Sequence, residues 1–211
     1  MLGIDHFFAF LFAGILLNLT PGSDTMYVLG RSISQGKKAG IYSALGIGTG
    51  CIVHILLATF GLSIIIRESR LLFDIIKYLG AAYLFYLGIR MWLEKSENKF
   101  EVTRTDEHLN LRQVFISGAI TNILNPKVAI FFIAFLPQFV RPDYPHPALP
   151  FFILGCTFNF TGVLWLLVLA VFASSMTTRI KENFRIKTWL DRLTGAVFIL
   201  LGVKLALQRQ G

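Results

Sequence analysis

Two short polar stretches interrupt otherwise apolar runs of the chain, NLTPGSD at 18–24 and NILNPK at 122–127. The first brings together Asn18, Thr20, Pro21, Gly22 and Asp24, the second Asn122, Asn125, Pro126 and Lys127. Proline lacks an amide hydrogen and clashes with the carbonyl four residues back, so Pro21 frees the carbonyl of Leu17 and Pro126 frees that of Asn122. Thr20-Pro21 and Asn125-Pro126 each read as an N-cap followed by proline at the first helical position, so each helix is expected to stop and restart. Amides exposed at such a restart attract anions, and freed carbonyls attract cations. Asp24 and Lys127 add one charge of each sign, and in hydrocarbon each costs about 2.5 to 3.5 kcal/mol when unpaired. Donors, acceptors and both charges in one place suit a zwitterion such as an amino acid, its carboxylate at a helix restart and its ammonium near Asp24 or the freed carbonyls. Asp24 can also carry a proton. Two plainer readings stand beside this one: prolines that only kink the helices, and Asp24 with Lys127 as a structural ion pair.

Other chemistry is poorly supplied. There is no HExxH, no GxSxG and no closely paired carboxylates within a span, so no enzyme is expected. Cys51 and Cys156 read as small thiols among apolar neighbours, and with Asp24 and His54 they show no ligand spacing, so neither a metal site nor a cofactor is expected. His54 reads as a hydrogen-bonded helix histidine before it reads as a proton relay. Gly40, Gly46, Gly48 and Gly50 allow helices to approach closely, and Phe131, Phe132, Phe135 and Phe139 face lipid or neighbouring helices.

The elements that hold these residues follow from composition. Of the residues 55% are hydrophobic and 15% charged, with a mean hydropathy of +0.64. That balance belongs to a membrane protein. Crossing about 30 Å of hydrocarbon takes roughly 20 helical residues. Runs of that order lie at 4–29, 40–66, 71–93, 112–140, 147–175 and 190–208. The third and sixth span only if Lys77, Arg90, Arg192 and Lys204 reach the headgroups. The first lacks a basic leader and a small-x-small cleavage site, so it is read as a retained span. The mixed-charge segment 94–110 is a linker between a first repeat, 1–93, and a second, 111–211, within one transmembrane domain.

LGAAYLFYLGIRM at 79–91 aligns with LTGAVFILLGVKL at 193–205, and LTPGS at 19–23 with LNPKV at 124–128. Three spans per half force the second half to cross the membrane in the opposite sense. The expected fold is therefore all-α, six transmembrane helices in two inverted three-helix repeats, with helices 1 and 4 broken at Pro21 and Pro126. Basic residues gather in the segments after spans one, three and five, which places both termini on the periplasmic side. The net charge of +8 sits at the ends of apolar runs, so it anchors the protein in a bilayer and gives no nucleic-acid surface.

NLTPGSDTMYVLGRSISQGKKAG at 18–40 and NILNPKVAIFFIAFLPQF at 122–139 resemble the two signature regions of the lysine exporter and homoserine/threonine resistance (LysE/RhtB) family of amino-acid efflux transporters. The likeness runs over essentially the whole chain. The family usually reads P-G-P-D at the first break, where this chain has Ser23 in place of the second proline. The resemblance implies secondary efflux of an amino acid across the bacterial inner membrane, coupled to protons, by a chain compatible with a homodimer. Asp24 is the one acidic residue placed deep in a span and Lys127 offsets it, which favours neutral substrates such as threonine, homoserine or leucine. The runner-up within the superfamily is a divalent metal-ion exporter; outside transport it is a structural membrane protein.

Overall fold

The computed structural model describes residues 2–68, 70–93, 110–141 and 144–182, with 192–193, 195–197, 199–200 and 203. Among them there are helices and no strand, apart from one isolated antiparallel bridge between Ile4 and Val140. The linker expected at 94–110 lies outside the described residues except for Asn110. Of the sixth span expected at 190–208, only scattered positions from 192 to 203 are among the described residues, all of them helical.

Helix α1 (Phe7–Leu19) stops at Thr20, and α2 (Ser23–Gln35) leaves at 47° to it. Gly36 turns the chain with φ +87°, a conformation that costs glycine little and other residues more. Next, α3 (Lys37–Leu57) continues through a π-helical turn (Ala58–Leu62) into α4 (Ser63–Glu68), and α5 (Arg70–Leu93) follows. Asn110 caps α6 (Leu111–Ile123), its Oδ1 accepting from the Gln113 amide at 3.1 Å. After a second break, α7 (Pro126–Ile130) runs through a π turn (Phe131–Phe135) and a 3-10 turn (Leu136–Phe139) at 46° to α6. The last long helix is α8 (Ala148–Glu182). Among the described residues Lys37–Ile65 and Ala148–Phe172 are long and apolar enough to cross a membrane, and there are up to four such stretches if each bent pair is one span.

Two apolar clusters fill the interior. In the first, Phe10, Phe131, Phe132, Phe135, Phe139 and Phe158 pack ring against ring, with centroids as close as 4.5 Å for Phe131 and Phe158. Phe131, Phe132, Phe135 and Phe139, expected to face lipid or neighbouring helices, thus face neighbouring helices. The second cluster is smaller and aliphatic: Val28, Ala44, Ile47, Leu166, Leu169 and Ala170. Along α8 the first cluster holds Phe151, Leu154 and Phe158, the second Leu166, Leu169 and Ala170; α3 meets them in the reverse order, with Ala44 and Ile47 before Cys51 and Ile55. Between the clusters lie the two breaks.

Glycines set the approach of α3 to α6. A Cβ on Gly46 would run into the carbonyl oxygen of Phe115, one on Gly50 into that of Ala119, and one on Gly118 would stand 2.8 Å from the carbonyl oxygen of Ser43. Backbone therefore lies directly on backbone, as in close membrane-helix pairs. At one end of the bundle, the Ile4–Val140 bridge, the Asp5 amide on the Phe139 carbonyl at 2.9 Å and the Arg141–Asp5 ion pair at 2.9 Å fasten the start of α1 to the segment after α7. Near the end of α5, Trp92 Nε1 donates to the Arg192 carbonyl at 2.8 Å. A Cβ on Gly88 would stand 2.6 Å from the Gly195 carbonyl oxygen, so the described part of the last segment packs on α5. Phe8, Leu57, Leu79, Phe160 and Leu164 point outward, a surface that suits lipid and would be costly in water.

Candidate functional site

A cavity of about 50 Å³ lies between the two clusters, where both breaks meet α3 and α8. Asn18, Thr20, Gly22 and Asp24 from the first break line it, as do Asn122, Asn125 and Lys127 from the second. Pro21 and Pro126 are not on its wall; they shape the backbone that is.

The breaks are built differently. Asn125 is the N-cap of α7, its Oδ1 accepting from the Lys127 amide at 3.0 Å, with Pro126 in the first turn. At the first break the expected cap is displaced. Thr20 does not start α2 but ends α1, its Oγ1 donating back to the Leu16 carbonyl at 2.8 Å, and Gly22 precedes the first residue of α2. The physical reason is the residue order. A following proline pushes Thr20 into the extended region, where its ψ is 120°, and from there its hydroxyl reaches the turn behind it.

The carbonyls opposite the prolines have found donors. Lys127 Nζ donates to the Leu17 carbonyl at 3.1 Å and to that of Thr20 at 3.0 Å, so a lysine on the second break caps the helix that ends at the first. The Asn122 carbonyl accepts the Asn125 amide at 2.9 Å and lies 3.0 Å from His54 Nε2. A carbonyl only accepts, so His54 carries its hydrogen on Nε2 and is held as a structural donor. Asn122 Nδ2 in turn donates to Asp24 Oδ2 at 2.8 Å, joining the two breaks a second time.

Two acceptors in this network remain without a hydrogen bond, Asp24 Oδ1 and Asn122 Oδ1, both buried. Asn122 is only 2% exposed. A buried acceptor with no donor costs about 1 to 3 kcal/mol, more when charged, so these two oxygens mark where a donor is wanted.

Helix α8 supplies residues that the polar stretches do not contain. Asn18 Nδ2 donates to the Phe158 carbonyl at 3.3 Å and to Thr161 Oγ1 at 3.1 Å, and Asn159 Nδ2 donates to the Gly48 carbonyl at 3.1 Å. Asn159, Gly162 and Cys51 stand on the cavity wall with Ile47, Val163 and Leu166, which make its apolar side. Sequence reading passes over Asn159 and Thr161 because each is a lone polar residue in an unbroken apolar helix. The signal available was the row Thr157, Asn159, Thr161 inside a run otherwise fit for lipid.

The model of the LysE type translocator family matches residues 15–209. The chain belongs to the LysE type translocators. It is 32% identical to a homoserine/homoserine lactone efflux protein of Salmonella typhimurium over 97% of this chain and 98% of that protein. It is also 32% identical to an uncharacterized membrane protein of Pseudomonas aeruginosa, over 97% and 96% of the two chains. A third relative, an uncharacterized membrane protein of Bacillus subtilis, is 31% identical over 91% and 94%. No solved structure matches. Within this LysE type translocator, Ser23 stands at the first helical position of α2, where the second proline of the usual P-G-P-D would fit without strain. The replacement therefore leaves the start of α2 in place and removes only the stiffness a proline adds.

Proposed function

We propose that this LysE type translocator exports neutral amino acids, such as threonine, homoserine or leucine, across the bacterial inner membrane in exchange for protons. The observation that carries the reading is the cavity where two broken helices meet, with a carboxylate, an ammonium and unmatched acceptors between two apolar clusters. Such a place binds a small zwitterion and excludes water on both sides. Asp24 takes the substrate ammonium or a proton, the first turn of α2 offers its uncapped amides to the carboxylate, and Ile47, Val163 and Leu166 receive a short side chain. Asn18, Thr20, Asn122, Asn125 and Lys127 hold the site together, and Pro21, Gly22 and Pro126 give it backbone. The efflux activity named for the Salmonella relative supports the substrate class.

At about 50 Å³ the cavity has room for a few waters, at roughly 10–15 Å³ each by this measure, so an amino acid enters only as the clusters part. The test loads cells with a panel of dipeptides and measures the amino acids appearing outside, with and without the protein and an uncoupler. Protein-dependent, uncoupler-sensitive release of a neutral amino acid is expected. Equal release without the protein would end the export reading.

The proposed arrangement is six spans in two inverted repeats over a single domain, 1–211, with both termini outside. The pairing of the start of α1 with the end of the α7 segment supports antiparallel first and fourth spans. A cysteine introduced at Gln210 should react with an impermeant thiol reagent in intact cells, while one at Ser96 or Thr105 should be shielded. The opposite labelling pattern would invert the topology.

A further inference from the structure

The bent pairs α1–α2 and α6–α7 are tied to each other in the middle and again at both ends of the cavity. The middle ties belong to the site: Asn122 Nδ2 on Asp24 Oδ2, and Lys127 Nζ on the carbonyls of Leu17 and Thr20. At the aliphatic end Tyr27 reaches from α2 to α6, its Oη donating to the Val114 carbonyl at 2.8 Å. The ring packs against the aliphatic cluster and lies so close to Gly118 that a Cβ there would stand 3.4 Å from its Cε1, while the Arg31 guanidinium covers its face at 5.4 Å. Only the hydroxyl joins the two helices by a hydrogen bond, and a phenylalanine could not make it.

At the aromatic end the tie is a strap of backbone. Residues 3–5 lie antiparallel along 139–141: the Asp5 amide donates to the Phe139 carbonyl at 2.9 Å and the Arg141 amide to the Gly3 carbonyl at 3.0 Å, on either side of the Ile4–Val140 bridge. Phe139 and Val140 belong to the aromatic cluster and Ile4 packs against it. Gly3 is held at φ +69°, and a Cβ there would run into the ring of Tyr144, so the strap needs glycine at this position. The Asp5–Arg141 ion pair is nearly half exposed and adds little, so the backbone bonds carry the strap.

Both end ties are made at once, and the chamber is shut on both sides. We infer that the Tyr27–Val114 hydrogen bond and the strap at 3–5 are the transporter's two gate clasps, each holding one wall closed independently of the other. Release of the first opens the chamber through the aliphatic end, and release of the second opens it through the aromatic end. Tyr27 and Gly3 thereby set how often each wall parts. This rests on the reading of the cavity as the cargo chamber.

Cys51 reports the opening, because it is only 3% exposed on the cavity wall and Cys156→Ser leaves it the sole cysteine. The full chain in that background is treated in right-side-out and inside-out vesicles with a small, membrane-impermeant methanethiosulfonate, and the rate of Cys51 modification is read by mass. Tyr27→Phe keeps the ring and loses one hydrogen bond, so Cys51 should react about 2- to 10-fold faster from one face of the membrane only. Gly3→Val puts a strained backbone and a ring clash into the strap and should speed the reaction about 10-fold from the opposite face only. Thr49→Val is the control: it loses the exposed bond from the Thr49 hydroxyl to the Leu45 carbonyl, within α3, and should leave both rates as they were. Unchanged rates in the two clasp variants, acceleration from both faces alike or from the same face in both, or an equal change in the control overturns the inference and leaves the export reading standing. Opening from opposite faces without protein-dependent export would end the export reading and leave the clasps in place.

Discussion

Asp24→Asn is expected to abolish export against a gradient while leaving a folded, inserted protein. The asparagine keeps the size of the side chain and can still meet Asn122, so the change removes charge more than packing. A hydrogen bond to a charged group is worth about 1.5 to 3 kcal/mol, so uphill transport should fall by about 10- to 100-fold or more. Downhill counterflow separates two roles. A residue that only carries protons, once neutral, still permits exchange of substrate, whereas an ammonium ligand loses binding as well. Lys127 provides the control for a merely structural role. If Asp24 exists to balance Lys127, the double change Asp24→Asn with Lys127→Gln restores transport, because neither charge is then left alone. Protein level, uphill export and counterflow measured in both single variants and the double variant decide the matter. Rescue by the double variant would sink the functional role of Asp24, and wild-type export by Asp24→Asn alone would sink both roles.

Gly46→Leu should cost the fold itself. Even the first carbon of the new side chain would collide with the Phe115 carbonyl oxygen, and backbone cannot step aside as a flexible side chain does. Overpacking costs about 1 to 3 kcal/mol in ordinary cores, and prising α3 from α6 belongs at or above the top of that range. Gly61→Leu is the matched control on the same long span, since a Cβ there meets nothing within 4 Å. Folded yield after detergent extraction and thermal midpoint should drop for the first and stay unchanged for the second. Equal behaviour of the two would mean that α3 and α6 are not in backbone contact.

What could be read from the sequence was what disturbs an apolar run. Prolines, cap residues and charges mark both breaks because nothing else interrupts those stretches, and proline's chemistry names the carbonyls of Leu17 and Asn122 before any coordinates do. The role of Thr20 was not legible. Threonine before proline reads equally as the start of one helix or the end of another, and only the direction in which its hydroxyl turns decides. Nor could the phenylalanines be placed by helical period. Phe131, Phe132 and Phe135 are buried and Ile133 is 46% exposed, in a stretch that leaves α-helical geometry for a π turn and then a 3-10 turn. Asn159 and Thr161 went unread for the opposite reason: their helix is regular, and a single polar residue in it looks the same whether it faces a cavity or a neighbour.

The two apolar clusters have a consequence for leakage. An exporter driven by a proton gradient, as proposed above, fails if its passage is ever open to both sides, since protons would then flow through without moving cargo. Here the polar chamber is walled by stacked phenyl rings towards the Phe7 end of α1 and by small aliphatic side chains towards the Gln35 end of α2. The walls share no residue, so either can part while the other stays dry and shut. The two walls differ in build: parting the rings of Phe131, Phe135 and Phe158 undoes several close ring contacts at once, whereas the other end is held by Val28, Ala44, Ile47, Leu166 and Leu169 with Tyr27 and Trp165 packed against them. One end of the chamber is thus sealed by ring-on-ring contacts and the other by aliphatic packing.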